Sequence, residues 1–225
     1  MQTRVEKHMT RGVFFQVGWT WSKLMEAASF RNDSDLSPER VISDQDFTHR
    51  LTVVTIAELP VGKGKAVLGN AHGLLNSLIG GWSVQGWFEG QTGDALGFGT
   101  NTTFNGDLKN IVLPKSQRRV ERWFNVNAGF EKDTTKQLGQ NIQTFPSRFS
   151  GIRADGINNF DLSMFKNFRI NERFRAQFRF ETFNTLNHVQ LDVPNTTPTS
   201  TTFGTITGEK GHGQRQLTMA VKVMF

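Results

Sequence analysis

The chain has 225 residues, of which 36% are hydrophobic, with no cysteine and a formal charge of +6. Without cysteine there is no disulfide framework, thiolate metal site or thiol nucleophile, and the 20 Phe and 5 Trp exclude an aromatic-poor disordered chain. The positive charge is dispersed rather than bunched, so nucleic acid is not an expected partner.

The first residues carry no apolar core of signal-peptide type. No stretch approaches the roughly 18 consecutive apolar residues of a spanning helix, so any membrane spans would be strands. "QTRVEKH" is a short strand candidate at 2–8. In "VFFQVGWTWSK" Val13, Phe15, Val17, Trp19 and Trp21 share one parity, against Phe14, Gln16, Gly18, Thr20 and Ser22. "HRLTVVTIAEL" puts Leu51, Val53, Thr55, Ala57 and Leu59 together. "GWSVQGWFEGQ" sets Trp82, Val84 and Phe88 against Ser83, Gln85, Glu89 and Gln91, with Trp87 as an exception. "NFDLSMFKNF" alternates from Phe160 to Met164 and slips near Phe165, where a bulge is expected.

"RFRAQFRFETF" sets Arg173, Arg175, Gln177, Arg179 and Glu181 against Phe174, Ala176, Phe178 and Phe180. "QLTMAVKVMF" closes the chain with Leu217, Met219, Val221, Val223 and Phe225 on one parity. Apolar residues two apart would scatter around a helix, so these segments are read as about seven strands. Several reach roughly 10 residues, beyond the globular mean and near the length a tilted membrane strand needs.

Tight turns are expected at 10–12 and 170–172, and long polar connections at 26–46, 98–156 and 186–213. Residues 60–80 make a long connection on the short-turn side, where "HGLLNSLI" could form a small interfacial helix. "QRRVERWF" is the other helical candidate. A half-buried sheet in a soluble sandwich would also alternate. Strand length, the apolar parity and the basic, polar parity opposite it favour a barrel in lipid with a wet or plugged lumen.

No site motif stands out. "VGKGKA" fails the phosphate-loop spacing because Ala66 follows Lys65. Asp33, Asp35, Glu39, Asp44 and Asp46 lack calcium-loop order and are expected to be a solvated loop. His8, His49, His72, His188 and His212 fall on separate segments, without zinc-site spacing. No nucleophile elbow or paired carboxylates occur, so neither an enzyme nor a cofactor is expected. Trp123 and Phe124 are expected to pack their own loop, with stacking on a ligand as the alternative that makes them the ligand-binding candidates. The lumen arginines are expected to pair with carboxylates such as Glu181 and Asp161.

The ordered set "VGWTWSK", "SDQDFTHRLTVVTIAELPVGKGK", "LIGGWSVQGWFEGQTG", "RWFN", "FDLSMFKNFRINERFRAQFRFETFNTLNH", "FGTIT" and "RQLTMAVKVMF" resembles the C-terminal barrel of TonB-dependent outer-membrane receptors of the Oar-like type, over about residues 2–225. The resemblance implies an all-β, antiparallel up-and-down transmembrane barrel of about 22 strands, of which residues 1–225 supply an incomplete portion with long extracellular loops. It implies a bacterial outer-membrane location, with outer-membrane lipid as partner and the remaining barrel, the plug, the TonB contact and the signal peptide outside this sequence.

Phe225, with Val223, Val221, Met219 and Leu217 on its parity, would be the signal read by the barrel-assembly machinery. Arg173, Arg175, Gln177, Arg179 and Glu181 would face the lumen, and Phe174, Phe178 and Phe180 the lipid. The function implied is TonB-energised uptake of a large solute. The alternatives are a small self-contained barrel or adhesion protein without transport, and a soluble β-sandwich binding module.

Overall fold

A computed structural model describes residues 1–99, 102–137, 142–211 and 213–225. Its strands are β1 (Gln2–Thr10), β2 (Val13–Trp21), β3 (Met25–Glu26), β4 (Val41–Ile42), β5 (His49–Glu58), β6 (Trp82–Gln91), β7 (Ala95–Leu96), β8 (Phe149–Arg153), β9 (Ile157–Arg169), β10 (Arg175–Phe183) and β11 (Gln216–Met224), with one helix, α1 (Gly73–Ile79). Seven long strands form one sheet in the order β1-β2-β5-β6-β9-β10-β11, and every pairing in it is antiparallel. The sheet is an up-and-down meander. Its edges, β1 and β11, do not pair with each other, so it is an open portion of a barrel. β3–β4 and β7–β8 are two-stranded sheets inside the long connections.

The registers carry the parity of the sequence across the whole sheet. Phe178 stands opposite Val221 and Lys166, Phe180 opposite Met219 and Met164, and Phe160 opposite Phe88. Phe88 in turn faces Val53, and Val53 faces Val17. The other face runs through Gln177, Asn167 and Lys222, then Glu181, Ser163 and Gln85. A one-residue slip in any strand would move its whole apolar set across the sheet, so these pairings define the faces.

Among the described residues no second large sheet packs on either face. Most of the buried hydrophobic residues gather in two clusters, one around Phe98, Ile111, Phe124 and Phe203 and a smaller one of Val41, Ile42 and Ala95. None of these residues belongs to the seven long strands. Among the described residues the side chains buried within those strands are polar, Lys166 and Thr182. A soluble sandwich would bury the Phe178 and Val221 row between sheets. Here Val221 is 69% exposed and Met219 71%.

At the short-turn end, β1 and β2 are joined by Arg11 (φ 53°) and Gly12 (φ 77°), the paired left-handed residues of a tight hairpin. β9 and β10 are joined by a turn in which the N–H groups of Ile170 and Asn171 donate to the Phe174 carbonyl. Arg173 and Phe174 therefore precede the strand, which starts at Arg175, and both belong to this turn. The bulge expected near Phe165 is absent. Phe165 pairs in unbroken register with Ser83 and Arg179, so it is an aromatic on the polar face, as Trp87 is opposite Asp161 and Val54. The 60–81 connection contains α1 as expected. No helix forms at 117–124, where a short 3-10 turn at Lys115–Gln117 is followed by the bridge Arg119–Arg122.

Candidate functional site: a two-faced sheet and its loop crown

The long connections 22–48, 92–156 and 184–215 meet at one end of the sheet and pack into a crown with its own dry interior. Phe98 is its hub, with ring centroids 4.5 Å from Phe130, 5.2 Å from Phe124 and 6.2 Å from Phe203. Edge-on and tilted rings at such spacings add to the area they bury. Phe124 is 1% exposed. Its ring packs against Phe98 and Phe203 inside its own loop, the first of the two roles expected for it. Trp123 differs: its indole Nε1 donates to the Arg153 carbonyl at 2.7 Å while the ring borders a cleft.

The acidic segment departs in part from expectation. Only part of it is a solvated loop: Asp33 is exposed and Asp35 accepts from the Asn32 backbone N–H, whereas Glu39, Asp44 and Asp46 pair with arginines. Asp46 is fully buried and lies 2.6 Å from Arg153 Nη2. Glu39, also buried, accepts from Arg31 at 2.6 Å and from the Ser147 backbone N–H at 3.3 Å. Arg148 bridges Glu26 and Asp44. Hydrogen bonds from Ser43 and Arg148 hold the Glu26 carboxyl below its ordinary pKa. For Asp46 burial pushes upward, but bonds from Leu24 N–H, Arg153 and Thr48 outweigh it and the carboxyl stays below its ordinary value. These pairs staple the 22–48 connection to 92–156. Among the described residues no group of three acidic or histidine side chains could hold a metal ion.

Where crown meets sheet there is a cleft of about 840 Å³. Trp19, Leu51 and Phe88, all from the apolar face, form its floor, and Lys115, Arg118, Trp123 and Arg153 come from the crown. His49 stacks on both Trp19 and Trp21, at 5.9 and 6.5 Å. This rim is a band of aromatic rings backed by cations. A smaller cavity of about 410 Å³ within the crown is lined by hydroxyls of Thr102, Thr134, Thr197 and Thr199 and by Gln137.

On the polar face, Arg175, Gln177, Arg179 and Glu181 align along β10. Arg179 lies 3.8 Å from Glu181, Arg50 pairs with Glu89 at 2.8 Å, and Gln177 bonds Asn167 at 2.9 Å. Asp161 takes no arginine: its carboxylate accepts from Asn159 and from the Asn184 backbone, which shapes the exit from β10. On the apolar face Val223, Val221, Met219 and Leu217 line up against Ala176, Phe178, Phe180 and Thr182, with Phe225 91% exposed at the chain end. His8, His49, His72 and His188 lie apart, and His212 lies outside the described residues.

Long antiparallel strands, an apolar face with no second large sheet on it and a crown at one end are the features of a β-barrel protein of the bacterial outer membrane. In keeping with that, residues 1–218 match the model of the outer membrane beta barrel domain family, and the chain belongs to it. No curated protein and no solved structure matches this chain.

Proposed function

We propose that this sheet is part of the barrel of a TonB-dependent receptor of the Oar-like type, which admits a large solute across the outer membrane. In this reading Phe178, Phe180, Val221 and their row meet lipid, and Arg175, Gln177, Arg179 and Glu181 line the lumen against water or a plug. The observation that carries it is the largely apolar face shared from β2 to β11, with no second large sheet over it among the described residues, backed by a polar face. In hydrocarbon every backbone donor and acceptor needs a partner, so the unpaired edges of β1 and β11 call for further strands to close the wall. The aromatic rim at Trp19, Trp21 and His49 suits the outer interface, where such rings concentrate. Arg11, Asn171 and the 60–81 connection then face the periplasm, and the crown faces outward with the threonine-lined cavity as a polar capture point.

A photo-crosslinking residue at Arg179, introduced into the protein in its native outer membrane, tests the lumen reading. A receptor gives an adduct to a plug segment. A lumen that labels freely from water and yields no adduct supports a barrel without gated transport instead. Phe174, in the turn, is expected at the periplasmic interface rather than in the acyl layer.

A further inference from the structure

Residues 60–81 fold back against the sheet at its short-turn end. Gly62 (φ 111°) and Gly64 (φ 72°) bend the chain, and the Asn76 side chain accepts from the Lys63 backbone N–H at 2.7 Å, which ties the bend to α1. Between this loop and β9 lies a cavity of about 310 Å³ bordered by Lys63, Lys65, Asn76 and Lys166.

Lys166 is unusual among the residues of the sheet. It stands on the apolar face, in register with Trp82 and Phe178, and is only 3% exposed. Its ammonium lies 5.5 Å from the Trp82 ring centroid and 5.0 Å from that of Phe168, with no hydrogen-bond partner among the described residues. Ring faces ease a buried cation but accept none of its three protons. Among the described residues the one carboxylate paired with this cluster is Glu58, at 3.1 Å from Lys65. Three lysines thus face one carboxylate, and the cavity they border calls for an anion.

The outer wall supplies the second half of the recognition. α1 carries Leu74, Leu75 and Leu78 at 84%, 53% and 67% exposure, an apolar surface beside a basic pocket. A short helix with this chemistry lies in a membrane interface rather than in water. A ligand that answers both features has a phosphate joined to hydrocarbon.

We propose that this pocket holds the headgroup phosphate of a phospholipid in the periplasmic leaflet, with Lys166 and Lys63 on the phosphate and the acyl chains against α1 and Phe168. The inference rests on the lipid-facing assignment of the apolar face made above. Lys166 then reaches from the apolar face toward the headgroup level along Phe168.

The test uses the protein extracted from its outer membrane in mild detergent and washed of loose lipid. Phosphorus analysis and mass spectrometry are expected to find about one phospholipid retained per chain, and the double variant Lys166→Met, Lys63→Gln is expected to reduce it roughly ten-fold or more, the effect of losing charge-assisted bonds. Lys7→Gln, exposed at the far edge of the same face, should leave it unchanged. Heat-modifiable gel mobility confirms folding, and Lys63→Glu alone should still lower retention if the double variant fails to fold.

No retained phospholipid in the wild type, retention unchanged in the variants, or binding of inorganic phosphate with no lipid attached would each overturn the proposal. A fluorophore on Val221→Cys in vesicles of brominated phospholipid separates the two levels. Quenching with no retained phospholipid defeats the pocket alone, whereas no quenching defeats the face assignment and the pocket with it.

Discussion

Asp46 and Arg153, 107 residues apart in sequence, form the buried staple of the crown: Arg153 Nη2 lies 2.6 Å from the carboxylate while Nη1 donates to the Asp46 carbonyl at 2.8 Å and the Gly93 carbonyl at 3.0 Å. The guanidinium therefore ties the end of the 22–48 connection to the start of the 92–156 connection through both side-chain and backbone oxygens. Arg148 with Glu26, and the Ser147 backbone N–H with Glu39, tie the same two connections a second and third time.

Removing one partner leaves the other charge buried without an answer, which costs about 3–5 kcal/mol. Arg153→Met is expected to open the 22–48 connection to protease at neutral pH while the strands stay resistant. Limited proteolysis followed by mass mapping of the cut sites checks this.

The same staple sets a pH response. The Asp46 carboxyl is held below its ordinary value in the folded crown, so its contribution is fully present above about pH 4, the unfolded range, and is lost as the pH falls through the lower folded value. Trp123 fluorescence, followed on acid titration in vesicles, should change in that acidic window and stay flat from pH 5 to 8. The Asp46→Asn variant should shrink that acid transition, leaving the share of Glu26, whose carboxyl is also held below its ordinary value.

Phe98→Ala takes the hub out of the crown core. With the ring lost from among Phe124, Phe130, Phe149 and Phe203, the cost should be about 3–5 kcal/mol. Because no long strand contributes to that cluster, gel mobility of the barrel portion should survive while protease sensitivity of 92–156 rises.

On the sheet, Val221→Arg and Lys222→Arg are neighbours on opposite faces. An arginine in the acyl layer should cost about 2–4 kcal/mol near the midplane, and the lumen substitution close to nothing. Urea titration of the protein folded in vesicles compares the two directly.

The period of two made the meander legible, because each long strand has one face that must meet an apolar medium. It also misled at Phe165, where an aromatic on the polar face mimicked a slip in register. Trp87 broke the same rule and needed only its partners, Val54 and Asp161, to place it. The crown was opaque for a different reason. Arg148 meets Glu26 across 122 residues and Asn32 meets Gln143 across 111, and no local spacing encodes such pairs. Asp46 reads as one more solvated acid until Arg153 arrives beside it. Lys166 had no signal except that a lysine sat on the apolar parity of "NFDLSMFKNF", the feature that places it at the edge of the lipid pocket.

Cysteine labelling measures the orientation of the sheet most directly, since the chain has no cysteine of its own. Gln177→Cys and Phe178→Cys are adjacent residues on opposite faces of β10. In outer-membrane vesicles a charged, membrane-impermeant maleimide delivered to the lumen should label Gln177→Cys, and a lipid-partitioning reagent should label Phe178→Cys alone. Labelling of Phe178→Cys by the charged reagent at the rate of Gln177→Cys would place the apolar row in water or inside the protein, and would contradict a lipid-facing sheet.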